Sequence, residues 1–119
     1  MKNVKDQVGN ALLTVTDNVT DSYPASWANL PAIQYAEEDN RVYERTEEGE
    51  EKSYVRYKVD IWHNMSTSET AMQVDEAIAG LGLVRVACQD VPDPSGLKHK
   101  VMRYEGILDM HSETVFWNN

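Results

Sequence analysis

The chain reads as an α+β protein, a two-layer sandwich with two helices on one face of a mainly antiparallel sheet of four to five strands. Three observations predict this. An apolar repeat at spacings of three and four opens the chain, and a second one sits in its middle. A strict two-residue alternation runs from Tyr54 to Trp62. Glycine-containing turn sequences join neighbouring extended segments in both halves, which favours hairpins over crossovers. The predicted order is helix, two strands, helix, two strands, in a single domain over residues 1–119.

In the first segment Val4, Val8, Ala11, Leu12, Val15 and Val19 fall on one helical face, and Asp21-Ser22-Tyr23-Pro24 stops the helix. Gly9, Thr14 and Thr16 lower its propensity, so it depends on docking. Trp27 and Leu30 are expected to anchor the following linker to the core. Pro31 opens an extended segment with Ile33, Tyr35, Val42 and Tyr43 as apolar positions, and Glu37-Glu38-Asp39-Asn40 predicts a bulge or kink along it.

From Tyr54 to Trp62, Val55, Tyr57, Val59 and Ile61 form the core side. Tyr54, Arg56, Lys58, Asp60 and Trp62 form a mixed charged and aromatic side. Gly49 turns the chain between this strand and the one before. Arg56 and Lys58 have two readings: pairing across the ladder with glutamates of the partner strand, or forming part of an interface.

Ser66 and Glu69 have the spacing of a capping box for the second helix. Ala71, Val74, Ile78 and Leu81 make its apolar stripe, and Gly80 and Gly82 its left-handed exit. Leu83 to Gln89 predicts a strand with Val84, Val86 and Cys88 facing the core. The turn sequence Asp90–Gly96 leads to a strand from Val101 to Met110, and Thr114–Trp117 suits a short edge strand.

Charge is the most unusual property. Between Glu37 and Glu51 lie eight of the twenty carboxylates against two arginines, a local net charge of −6 out of −9. This run falls on a hairpin, with Glu47, Glu48, Glu50 and Glu51 at its tip. A balance of −9 argues against nucleic acid as a bound ligand, because phosphate neutralisation supplies most of that affinity. It allows DNA to pass nearby without adhering.

No catalytic constellation is visible. His63, His99 and His111 lack metal-ligand spacing, phosphate-loop and nucleophile-elbow motifs are absent, and the acidic run lacks the pattern of a calcium loop. The expectation is a protein without cofactor, metal or enzymatic activity. The lone Cys88 suits a reducing compartment and reads as a small core residue. No apolar run reaches the length of a membrane span, and the N-terminus lacks the apolar centre of a signal peptide, so synthesis in a cytoplasm is expected.

The run Trp27–Tyr35 leading into a charged hairpin, then Val59-Asp60-Ile61-Trp62 before a Ser/Thr-capped helix ending in Leu81-Gly82-Leu83, then the closing strand Lys100–Asp109, together resemble the tail-terminator (tail-completion) proteins of long-tailed bacteriophages and prophages. The resemblance covers most of residues 4–112. It implies a non-enzymatic virion protein, made in the bacterial host cytoplasm and placed at the neck. Such a protein forms a homo-oligomeric, hexameric ring that caps the tail tube. Its implied partners are the tail-tube protein and a neck or head-completion protein, with DNA passing through the lumen. On that reading Glu47, Glu48, Glu50, Glu51, Tyr54, Arg56, Lys58, Trp62 and Trp117 are candidate interface or lumen residues. Two alternatives stand beside it: a head-completion or stopper protein of the neck, and an acidic inhibitor or DNA mimic that occupies a basic site.

Overall fold

A computed structural model describes residues 1–111 and the backbone of Val115–Phe116. The elements are α1 (Lys5–Leu12), β1 (Val19–Thr20), β2 (Ala32–Thr46), β3 (Gly49–His63), α2 (Ser68–Ala79), β4 (Val84–Val91), β5 (Lys98–Asp109) and β6 (Val115–Phe116). The sheet order is β1-β2-β3-β5-β4, and β6 pairs with β5. All pairings are antiparallel except the short parallel contact of β1 with β2. The α+β architecture expected from the hairpin and helix patterns is the one observed.

One face of the sheet meets both helices. Val8 and Leu12 of α1, with Ala71, Val74 and Ile78 of α2, pack on Ile33, Val55, Tyr57, Val59, Ile61, Met102, Tyr104 and Leu108. The alternation of β3 sets this arrangement, because side chains two apart share a face. Tyr57 and Tyr104 sit directly opposite each other in the ladder and are fully buried. Each hydroxyl donates to a carboxylate at the core margin: Tyr57 to Glu37 Oε1 at 3.2 Å, Tyr104 to Asp75 Oδ1 at 2.9 Å. The large apolar bodies are thereby buried without stranding a polar tip.

Of the bulge or kink expected there, the structure has the bulge: the register of β2 on β3 slips between Glu37 and Asp39, leaving Glu38 unpaired in the ladder. The long β2–β3 hairpin gives the molecule extents of 52 × 24 × 23 Å. Its last rungs run past the end of β5, whose pairing with β3 stops at Lys52.

Several local expectations are corrected. The first helix ends at Leu12, and Val19 lies in β1 against Ile33 instead of on the helix. Thr14 turns its hydroxyl onto the Ala11 carbonyl at 2.6 Å. The Asn18 side chain donates to the carbonyls of Ser26 and Asn29, which fixes the extended exit. Val15 and Val19 still reach the core, so their spacing reported burial but not helix. The capping box does not form: α2 begins at Ser68, and Ser66 Oγ instead accepts from the Ser68 backbone N–H at 3.2 Å. Of the two exit glycines only Gly82 is left-handed, with φ of 93°. Val84, Val86 and Cys88 are exposed: the bulge between Arg85 and Ala87 breaks their alternation and puts Val84 on the face away from the helices, while Cys88 borders an open groove beside α2 on this edge strand.

Candidate functional site

At the hairpin tip Thr46 pairs with Gly49 across Glu47 and Glu48. Gly49 takes φ of 116°, a conformation that side chains with a Cβ resist, so glycine here permits the tight reversal. The four tip glutamates then divide into two pairs. Glu47 and Glu48 are exposed at the turn. Glu50 is turned back onto the protein, 2.6 Å from the Met1 amino group and accepting from Ser53 Oγ at 2.8 Å. Those two contacts, the amino group foremost, hold its carboxyl below the ordinary glutamate range. Glu51 contacts His111 Nε2 at 2.7 Å and accepts from Thr46 Oγ1 at 3.0 Å. Only Glu47 and Glu48 project their charge outward, because the neighbouring pair is used to hold the hairpin base.

The sheet face away from the helices carries the mixed residues of β3. Arg56 Nε lies 3.3 Å and Arg103 Nε 3.0 Å from Glu38 Oε1, so the bulged glutamate gathers two guanidinium groups. Lys58 Nζ lies 3.7 Å from Asp60 Oδ2. The pairing reading of Arg56 therefore describes its surroundings, and Lys58 pairs along its own strand instead of across the ladder. Tyr54 is 8% exposed, covered by the Arg41 guanidinium 4.4 Å from its ring centre. Burial, then a hydrogen bond to Glu105, pushes its hydroxyl up to about 12.

Trp62 is 4% exposed. Trp27 and Tyr23 meet it edge to face at 5.4 and 5.8 Å, and the His99 ring stacks on it at 4.4 Å. Its indole N–H donates to Asp93 Oδ1 at 3.1 Å. His99 is held between two carboxylates, with Nε2 at 2.8 Å from Asp60 and Nδ1 at 3.5 Å from Asp93. The Ser95 hydroxyl, then the indole, lower the Asp93 carboxyl from its ordinary value. Trp27 does anchor its linker, but on this second face and not in the helix-side core. Tyr54 and Trp62 thus have no free aromatic face for a neighbouring subunit, while Arg56 and Lys58 remain partly open. Trp117 lies outside the described residues.

The Trp62–His99–Asp93 cluster was not legible in the sequence. His63, His99 and His111 read there as scattered, and only the register of β3 on β5 places His99 beside Trp62. The β4–β5 turn and the start of α2 border an open concavity of about 590 Å³, lined by residues that include Ser66, Ser68, Asp93, Lys98 and His99. Among the described residues no group of three or more His, Cys, Asp or Glu is arranged to hold a metal ion. No helix among them is long and apolar enough to cross a membrane.

What these surfaces offer chemically is charge and unpaired backbone. β1 pairs with β2 only at Ile33 and Gln34, so from Tyr35 to Thr46 the outer edge of β2 has no strand partner among the described residues. Beside that edge lie Glu37, Asp39, Glu44, Val42 and Tyr43, the last two exposed. Comparison of the chain with protein-family models and with curated proteins finds no match.

Proposed function

We propose that this chain is a non-enzymatic structural protein of the phage virion, a tail terminator that closes into a ring on the end of the tail tube. The reading rests on the resemblance in residues 4–112. The observation that carries it furthest is the projecting β2–β3 hairpin, with Glu47 and Glu48 at its tip and an unpaired outer edge along β2. Head-to-tail contacts need two different surfaces on each subunit. The acidic β2 edge supplies one, and the partly open sheet face with Arg56 and Lys58 supplies a complementary other. Ring closure at a fixed subunit number, six on this reading, halts growth of the tube.

Glu47 and Glu48 then face either the lumen, where they repel passing DNA, or a basic patch on the adjoining neck protein, where they steer docking. The protein would be made in the host cytoplasm and reside at the neck of the virion. Light scattering on the protein mixed with the tail-tube protein tests this reading. A species near six times the chain mass that binds tube ends and stops their elongation is the expected result. A monomer that ignores tubes and instead binds a basic protein tightly would replace the terminator with an acidic inhibitor.

A further inference from the structure

The outer edge of β4 is the second unpaired edge of the sheet among the described residues, and it differs in character from the acidic edge of β2. Its centre, Val86-Ala87-Cys88-Gln89, carries no charge, and β4 contains no proline, so only the flanking charges of Arg85 and Asp90 and the bulge between Arg85 and Ala87 modify this edge. Val84 and Val86 are 38% and 46% exposed. On the helix side a groove of about 360 Å³ runs between β4 and α2, bordered by Met72, Arg85, Cys88 and Met102. Met72 is 73% exposed on its wall.

The register of β4 against β5 contains a symmetry that the sequence alone hides. Cys88 stands opposite Met102. Asp90 stands opposite Lys100, two rungs to one side, and Arg85 opposite Tyr104, two rungs to the other. The bulge between Arg85 and Ala87 absorbs the extra residue and makes these distances equal. Val84 and Val91 likewise lie three rungs from Cys88 on opposite sides, facing Glu105 and His99.

We propose that a second copy of this chain pairs with the first along β4, antiparallel, about a two-fold axis through Cys88. In that register Arg85 faces the partner's Asp90, and Asp90 faces the partner's Arg85. Val84 meets the partner's Val91, and the uncharged residues fill the centre. The side chains brought opposite each other share a face of the joined sheet, as antiparallel pairing requires. Arg85 already lies 3.3 Å from Asp75, and Asp90 lies 2.9 Å from Lys100. Across the contact these become two chains of alternating charge: Asp75, Arg85, the partner's Asp90, the partner's Lys100. An axis shifted to Gln89 would set Cys88 against the partner's Asp90 and lose both charge pairs. The α2 grooves of the two copies merge into one trough with Met72 on each wall.

The contact is closed, so it does not build a ring. It leaves the hairpin and the β2 edge free and stands or falls independently of the tail-terminator reading. Edge pairing of this extent belongs to the small, weak class of interfaces, below roughly 1,200 Å².

The test combines sedimentation over a concentration series with oxidation by diamide, which takes up the two thiol hydrogens as Cys88 joins the partner's Cys88. Wild-type protein is expected to approach twice the chain mass and to give a covalent dimer on a non-reducing gel. Asp90→Arg or Arg85→Asp alone sets like charges opposite each other twice, and each should weaken dimerisation and slow cross-linking at least about tenfold. The double variant R85D/D90R restores opposite charges across the contact but sets like charges beside Asp75 and Lys100, so it should dimerise and cross-link faster than either single variant without reaching wild type. Circular dichroism confirms that each variant is folded. A wild-type protein that stays monomeric throughout, single variants that cross-link as fast as wild type, or a double variant no faster than the single ones would each overturn the proposal.

Discussion

Asp93 ties the β4–β5 turn to the sheet through the Trp62 indole, and its position allows a direct test. Asp93→Ala should leave the buried indole N–H without its acceptor, lower stability by about 1–3 kcal/mol and shift the Trp62 fluorescence. The carboxyls of Asp93 and Glu50 are both lowered in the folded state. Each therefore binds fewer protons when folded than when unfolded. Their contribution is present above the ordinary carboxylate range, about pH 4, and is lost as pH falls through the lowered values. Thermal unfolding measured between about pH 6 and about pH 3 should show this decline, and Asp93→Ala should make it shallower. Gly9 offers a second test, because a Cβ built there would meet Tyr35 Oη at 2.5 Å. Alanine normally favours a helix interior by about 0.5–1 kcal/mol, yet Gly9→Ala should destabilise this protein. Tyr35→Phe combined with it should recover part of the loss in a denaturant titration.

Among elements, α1 has eight residues and cannot stand alone as a helix, whereas α2 spans twelve and carries the apolar stripe that seals the core. Ile78 is fully buried at the centre of that stripe. Ile78→Ala should cost about 2–5 kcal/mol, read as a lower midpoint in denaturant. The hairpin should behave in the opposite way. Glu47 and Glu48 are exposed at its turn and make no contact that the fold requires. The double variant E47K/E48K should keep stability within about 0.5 kcal/mol of wild type. On the ring reading the same variant should lower the rate at which tails join heads. Unchanged phage yield would remove the tip from the mechanism.

For the whole molecule, a net charge of −9 acts against self-association, and an assembly has to place that charge with care. The fold gathers carboxylates on β2 and its turn and leaves the centre of β4 neutral. On the ring reading, closure through the β2 edge opposes acidic groups to Arg56 and Lys58, so it should weaken as salt rises. Light scattering on the protein with tubes, at low and at high salt, checks this: the capped species is expected to decline with ionic strength.

Much of the fold was determined by the sequence alone, and for a local reason. Alternation in β3, the three-and-four spacing in α2, the turn at Gly49 and the bulge after Glu37 are each set by residues a few positions apart. The same local reading placed the acidic residues on a hairpin. It failed where burial depends on a distant neighbour. Val19 and Val15 carry a helical spacing, but Val15 lies in the turn after α1, and Asn18 and the pairing with Ile33 draw Val19 into a strand. Val84, Val86 and Cys88 alternate like core residues, yet the bulge between Arg85 and Ala87 breaks that alternation and the strand lies at the open edge of the sheet. Tyr54 and Trp62 read as interface aromatics until Arg41, Tyr23, Trp27 and His99 are seen to cover them. The division of the tip into two outward and two inward glutamates, and the symmetry of Arg85 and Asp90 about Cys88, belong to the tertiary structure for one reason. Both depend on which residues the long-range registers bring together, and no spacing along the chain encodes that.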